Sequence, residues 1–181
     1  MSKIDFSLIV INNNTEELLE YLKHIEEQRT SDLDIEVIVE TEQLTEDIYE
    51  EIEDIDLNII IDEQKKLDTA SLYNNGLKKC NGKFIQFTNT SMRFKNKDAL
   101  SNIKNLSKNK VIITNLFVID PLTKKDKKYL LANEQEELID LNTTPEHINI
   151  SLESYFINKT LLTEINFDEK FGIDTTEKFI V

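Results

Sequence analysis

Side chains that could bind a polar ligand follow three apolar segments of this sequence. Asn12 follows the run Phe6–Ile11, Glu40 ends a second β-branched run, and Asn89 follows a third. An amide both donates and accepts hydrogen bonds, and an ionised carboxylate accepts several, so these groups could bind a polar ligand. Because ligands of parallel sheets bind beyond the carboxyl ends of the strands, we expect these three positions to share one site.

The segments between these runs have helical periodicity. After the first run, leucines and isoleucines recur every three or four residues, glutamates occupy the other face, and Thr15 can cap a helix that ends near Gln28. The predicted order of elements is strand Phe6–Ile11, helix Thr15–Gln28, strand Ile35–Val39, helix Leu44–Ile55, strand Leu57–Ile61, helix Leu67–Cys80, strand Phe84–Phe87, helix Ala99–Leu106, and a strand pair or one long strand over 111–119. Alternating strands and helices predict an α/β fold with a mostly parallel sheet covered on both faces.

Length and charge limit the class of protein. The 181 residues suffice for one domain, which we assign to 1–181. The net charge is −14, and most of the acid lies before residue 65, so sequence-independent binding to nucleic acid is disfavoured. The basic cluster Lys124–Lys128 is typical of a solvated loop.

Targeting segments and cysteine chemistry give little indication of function. No apolar run approaches the length of a membrane span, and the amino terminus lacks the apolar region of a signal peptide, so we expect a cytoplasmic protein that is not transmembrane. The lone Cys80 excludes an intramolecular disulfide, and its apolar surroundings indicate a packed side chain rather than a nucleophile.

The stretch Leu72–Phe87 reads as a helix, a glycine-containing turn and a buried strand. It resembles the family 2 glycosyltransferases of the GT-A fold, in which an Ala-Arg-Asn-x-Gly-Leu helix leads through Gly-Lys-Tyr-Ile into a strand that ends in an Asp-x-Asp metal motif. Asn74 and Gly76 match that pattern, and Tyr73 replaces its arginine. The resemblance implies a GT-A, Rossmann-like three-layer sandwich with the first four strands in the spatial order third, second, first, fourth.

The same resemblance implies a set of nucleotide-binding residues. Glu40 stands where the family has the first acid of Asp-Asp-Gly-Ser, which bonds the base or ribose, and an exposed acid at a strand end is the alternative interpretation. The full set of candidates is Asn12, Asn14, Glu40, Asn74, Asn89 and Ser91.

The metal motif of the family is degenerate in this chain. Asn89, Thr90 and Ser91 occupy the Asp-x-Asp positions, and neutral oxygens are poor ligands for Mg²⁺ or Mn²⁺. We therefore predict no metal site at these positions. Mg²⁺ or Mn²⁺ could bind only if carboxylates from elsewhere in the protein reached this turn. Arg93 could neutralise part of the charge of a diphosphate, although a solvated arginine is the preferred interpretation.

The catalytic base is expected near the end of the chain. The segment Ile165–Phe171 is similar to the family's Gly-x-Phe-Asp-Glu-x-Phe element, and Thr175 and Thr176 then occupy the positions of its catalytic Glu-Asp. An inverting transfer needs a carboxylate to take the acceptor's proton. Asp174 or Glu177 could supply it if the alignment slips by one residue.

Three functions stay open on the sequence. The resemblance implies a transferase that moves sugar from a nucleotide sugar, UDP-sugar above all, to a hydroxyl of a glycan acceptor in glycan or cell-surface polysaccharide synthesis. The missing acids favour instead a silent GT-A domain that binds a glycan, a nucleotide or a protein. An unrelated α/β binding module is the third alternative. Because the sequence stops soon after the expected base, we also expect it to be the amino-terminal part of a longer protein with a further domain or partner.

Overall fold

The computed structural model describes residues 4–65, 68–106, 112–113, 116–119, 126–129, 152, 155–162 and 167. The elements are β1 Phe6–Ile11, α1 Thr15–Glu26, β2 Ile35–Thr41, α2 Glu46–Glu53, β3 Asn58–Glu63, α3 Thr69–Lys79, β4 Phe84–Asn89, α4 Ala99–Leu106, β5 Ile112–Ile113, β6 Leu116–Ile119, β7 Asp126–Tyr129, β8 Tyr155–Asn158 and a 3-10 turn Lys159–Leu161.

Six strands form the central sheet in the order β3-β2-β1-β4-β8-β5. The first four are mutually parallel, whereas β8 runs antiparallel to β4 and β5 runs antiparallel to β8. The mostly parallel α/β sheet is therefore confirmed, and so is the predicted order of the first four strands.

Helices cover both faces of this sheet. Leu8 of β1 and Leu22 of α1 belong to a cluster that also contains side chains of α2 and α4. On the other face, Ile9 of β1 packs with Tyr73 of α3. Every residue of β1 and β2 is buried, as expected of central strands in a three-layer sandwich.

Gly76 sets how closely α3 approaches the sheet. A Cβ atom at this position would lie 2.4 Å from Cγ2 of Ile9, so only glycine fits without a shift. Glycine at position 76 thus permits close packing of α3 on β1.

The first helix differs from its prediction at both ends. Its N-cap is Asn14 rather than Thr15, because the Asn14 side chain accepts a hydrogen bond from the backbone N–H of Glu16. The helix ends at Glu26.

Two other predictions were wrong in detail. Ile112–Ile113 joins the central sheet, whereas Leu116–Ile119 pairs with β7 in a separate two-stranded sheet, so the two segments form neither one strand nor a pair. The basic cluster is only partly a loop, since Asp126–Tyr129 is a strand. No described helix has the length and apolar character needed to span a bilayer.

Candidate functional site

Three predicted residues meet where β1, β2 and β4 end. Ile11 pairs in register with Glu40 on one side and with Asn89 on the other. The backbone N–H of Asn12 donates to the carbonyl oxygen of Glu40 at 2.9 Å, and its side-chain amide donates to Oγ1 of Thr41 at 2.9 Å. The three positions are therefore neighbours at one edge of the sheet, and their role in binding a ligand stays a prediction.

The asparagines of the β1 loop hold its backbone in place. Oδ1 of Asn12 accepts from the N–H of Asn14 at 3.0 Å, and Oδ1 of Asn14 accepts from the N–H of Glu16 at 3.1 Å. These contacts order the loop between β1 and α1. They also engage the two side-chain oxygens that the sequence assigned to a ligand.

Glu40 is the residue at this edge with unused hydrogen-bonding capacity. It lies inside β2 rather than after it, its side chain is fully buried, and within the described chain neither carboxylate oxygen has a hydrogen-bond partner. Burial raises the pKa of Glu40 to about 7, and the nearby positive charge of Lys79 opposes that rise. The carboxyl is thus divided between its neutral and ionised forms near neutral pH.

A charged pair that sequence reasoning missed lies beside Glu40. Asp62 of β3 pairs in register with Glu40, and the Lys79 ammonium forms an ion pair with the Asp62 carboxylate. The signal in the sequence was an acid near the end of each of two neighbouring apolar strands. The positive charge of Lys79 therefore mainly compensates the charge of Asp62 and compensates that of Glu40 only in part.

The Asn89–Ser91 segment forms a closed polar turn. Oδ1 of Asn89 accepts from the N–H of Ser91 at 3.1 Å and from its hydroxyl at 2.6 Å. Oxygen ligands of Mg²⁺ and Mn²⁺ are normally carboxylates, and this turn offers none. In the ranges that the structure describes, no three His, Cys, Asp or Glu side chains lie close enough to hold a metal. The described residues at this edge do not fit the divalent ion that the resemblance implies.

Arg93 is held by its own loop and by α1. Its guanidinium donates to the carbonyl oxygen of Thr90 at 2.5 Å and to that of Met92 at 2.8 Å, and it lies 3.5 Å from a carboxylate oxygen of Glu20. Arg93 is exposed, as expected of a solvated arginine, and one of its guanidinium nitrogens makes both hydrogen bonds.

Asn74 connects α3 to a distant part of the chain. Its amide nitrogen donates to the carbonyl oxygen of Phe167 at 2.9 Å, and its Oδ1 accepts from the N–H of the same residue at 2.8 Å. Tyr73 packs against Phe87 and Phe167 with ring centroids 4.9 and 5.4 Å away. The tyrosine that replaces the family's arginine is therefore part of a buried aromatic cluster.

A second buried acid, Glu36, lies at the amino end of β2. Its Oε1 accepts from the hydroxyl of Ser7 at 2.5 Å and from the N–H of Gly82 at 3.1 Å. Glu36 thus fixes the turn between α3 and β4. Cys80, in the same turn, is buried, and burial raises the pKa of its thiol, as expected of a packed side chain.

The two candidate bases, Asp174 and Glu177, lie outside the described residues. Their assignment stays a prediction. His24 is excluded as a base in this state, because its Nε2 accepts a hydrogen bond from the N–H of Phe94 at 2.8 Å.

Comparison with known proteins identifies the fold. No family model and no curated protein sequence matches the chain. Residues 1–349 of S. aureus TarS match with a TM-score of 0.75 and 19% identity over 96% of this chain and 52% of that one. The same TarS fragment in complex with UDP-GlcNAc gives a TM-score of 0.68 and 18% identity over 89% and 47%.

HddC from Yersinia pseudotuberculosis is a more distant match, with a TM-score of 0.56 and 12% identity over 98% of this chain and 87% of that one. The chain spans about half the length of the TarS structures. The strand order and these similarities together show that the chain has the GT-A glycosyltransferase fold.

Proposed function

We propose that this chain is the nucleotide-binding part of a family 2 glycosyltransferase that takes sugar from a UDP-sugar to a hydroxyl of a glycan, in glycan or cell-surface polysaccharide synthesis. The fold match to TarS supports this proposal, since TarS structures include complexes with UDP and with UDP-GlcNAc. A cytoplasmic location, where such donors are available, belongs to the same proposal.

The proposed nucleotide site rests on one observation, the buried carboxyl of Glu40. A buried acid without hydrogen-bond partners costs free energy, and perturbed acids of this kind concentrate at functional sites. The imide N–H of uracil or a ribose hydroxyl would supply the missing donor. Because Glu40 is fully buried in this state, its side chain must turn toward the strand ends when the ligand binds.

The proposed transfer involves an acid of this chain, the sugar donor and the hydroxyl of the acceptor. Asp174 or Glu177 takes the proton of the acceptor hydroxyl, the hydroxyl oxygen then bonds to the anomeric carbon, and the bond from that carbon to the diphosphate breaks with release of UDP. The neutral turn Asn89–Ser91 adds little to diphosphate binding, so we expect an affinity of about high micromolar to millimolar.

Ligand-observed NMR with UDP and UDP-GlcNAc tests the site. A charged hydrogen bond contributes about 1.5 to 3 kcal/mol, so Glu40→Ala is expected to weaken binding by roughly 10- to 100-fold. Glu42→Ala removes an exposed acid two residues further on and is the matched control, with binding unchanged. Absence of binding by the original chain at millimolar nucleotide contradicts the proposal.

A silent GT-A domain is the second candidate, and the polar turn that replaces the metal motif favours it. Release of UDP from UDP-GlcNAc in the presence of glycan acceptors separates the two functions. Turnover that Asp174→Ala or Glu177→Ala abolishes supports the transferase. Nucleotide binding without any turnover supports the silent domain.

A further inference from the structure

The outer side of β3 is an open edge of the central sheet. In the sheet as the structure describes it, β3 is the terminal strand and pairs only with β2. A strand paired on one side leaves alternate backbone N–H and C=O groups facing outward, which makes it a template for another strand.

The acids of β3 lie at its carboxyl end, and its centre offers little protection against such pairing. Ile59, Ile60 and Ile61 form its centre, and all three are half-buried. Natural edge strands are usually protected by lysine, proline or a bulge, and β3 contains neither residue. The strand thus combines free backbone groups with side chains that favour β-structure.

The chain that leads into this edge is strongly acidic, and α2 contacts β3 through the hydroxyl of Tyr49, which donates to Oε1 of Glu63 at 2.8 Å. No Lys or Arg occurs between Arg29 and Lys65, whereas 14 Asp and Glu do. The exposed acids of α2 and of the turn into β3 are Glu46, Asp47, Glu50, Glu51, Glu53, Asp54 and Asp56. Among the ion pairs within the described ranges, two involve these acids, Lys23 with Glu51 at 3.9 Å and Arg29 with Asp56 at 2.5 Å.

Electrostatic charge determines which kind of partner could bind at the outer edge of β3. A second copy of this chain would bring the same acids together, and like charges at close range oppose association. An extended segment rich in lysine and arginine would be attracted by them and could donate and accept along β3.

We propose that the outer edge of β3 is the docking site for an extended, Lys- or Arg-bearing segment of a partner protein, which adds to the sheet as a further strand. Backbone hydrogen bonds hold the segment, and the acids of α2 select its charge, as in other cases of strand addition. This proposal does not depend on nucleotide binding.

A synthetic peptide of nine alternating lysines and valines, labelled with fluorescein, is the probe for the full 181-residue chain. Fluorescence anisotropy is expected to show saturable binding. N-methylation of alternate peptide bonds removes backbone donors but no charge, and is expected to weaken binding by about tenfold or more. Equal binding of the methylated peptide overturns the proposal, because charge alone then explains the attraction.

Charge reversal on the protein locates the site. Glu53→Lys with Asp54→Lys is expected to weaken peptide binding by about tenfold. Both positions lie at the carboxyl end of α2, where lysine is favourable. Asp98→Lys, an exposed acid before α4, is the matched control and should stay within about twofold.

Amide chemical shifts give the structural readout. Peptide-induced changes centred on Asn58–Glu63 support docking at the edge. Changes confined to another surface overturn it, as does a peptide-insensitive dimer in analytical ultracentrifugation whose interface includes β3.

Discussion

Glu40 shows how one buried side chain can make the stability of the fold depend on pH. Neither of its oxygens is hydrogen-bonded within the described chain, and its pKa of about 7 means that folding itself raises its proton affinity. The unfolded chain releases this proton near the ordinary pKa of glutamate, whereas the folded chain retains it to higher pH. Stability is therefore greatest below the ordinary pKa and falls as pH rises through 7.

Glu40→Gln removes this pH dependence. The free energy of unfolding of the variant relative to the original chain is expected to rise by about 2 kcal/mol between pH 5.5 and 8.5. Urea unfolding followed by circular dichroism measures it. Glu42→Gln, at an exposed acid, is the control. Parallel stability profiles for the original chain and Glu40→Gln would show that the Glu40 pKa is not raised.

At the scale of elements, the contact between α3 and β1 depends on one missing side chain. Gly76 of α3 faces Ile9 of β1, with 2.4 Å between a hypothetical Cβ and Cγ2 of Ile9. Ala70, Tyr73 and Asn74 of the same helix are buried as well. Any larger residue at position 76 requires a shift of the helix or of the Ile9 side chain.

Gly76→Ala sets helix propensity against packing. Alanine favours the helix by about 1 kcal/mol, whereas overpacking costs about 1 to 3 kcal/mol, and the 2.4 Å approach places this site at the costly end. We expect a net loss of about 1 to 2 kcal/mol in urea unfolding. Asn75→Ala, at the next and less buried position, should keep or slightly raise stability. A Gly76→Ala chain more stable than the original would refute the packing argument.

The sequence predicted elements better than it predicted the site. Apolar runs and helical periodicity located the first four strands and the helices between them, because burial on both faces demands continuous apolar residues. The state of Glu40 was not predictable, since its burial depends on α3 and on the Asp62–Lys79 pair of other elements. Nor could spacing show that Asn74 bonds to Phe167, 93 residues away.

At the scale of the whole molecule, the GT-A fold is present without the acids that usually accompany it at the end of β4. Asn89 uses its oxygen for two bonds from Ser91, and Arg93 is bonded to its own loop. In the described region, a nucleotide at this edge would therefore meet no cluster of acids that could hold a metal, and a guanidinium that is already bonded to its own loop.

Nucleotide binding is expected to be independent of divalent metal. Calorimetric titration with UDP in EDTA and in Mn²⁺ should give dissociation constants within about twofold. Electron paramagnetic resonance should detect no bound Mn²⁺ without nucleotide. The double variant Asn89→Asp and Ser91→Asp provides the comparison and should gain Mn²⁺ binding. Saturable Mn²⁺ binding by the original chain, lost in Asn89→Ala, would contradict this prediction.

The order of strands also has a consequence for biosynthesis. The outer neighbour of β4 is β8, and Phe84 pairs with Asn158. At a translation rate of about 5 to 20 residues per second, the roughly 70 residues that separate the two strands take about 4 to 14 seconds to make. During that interval the outer edge of β4 in the nascent sheet is not yet paired with β8, so this edge is exposed in addition to that of β3. Synonymous codons that slow the ribosome between β4 and β8 should therefore prolong a state that chaperones bind.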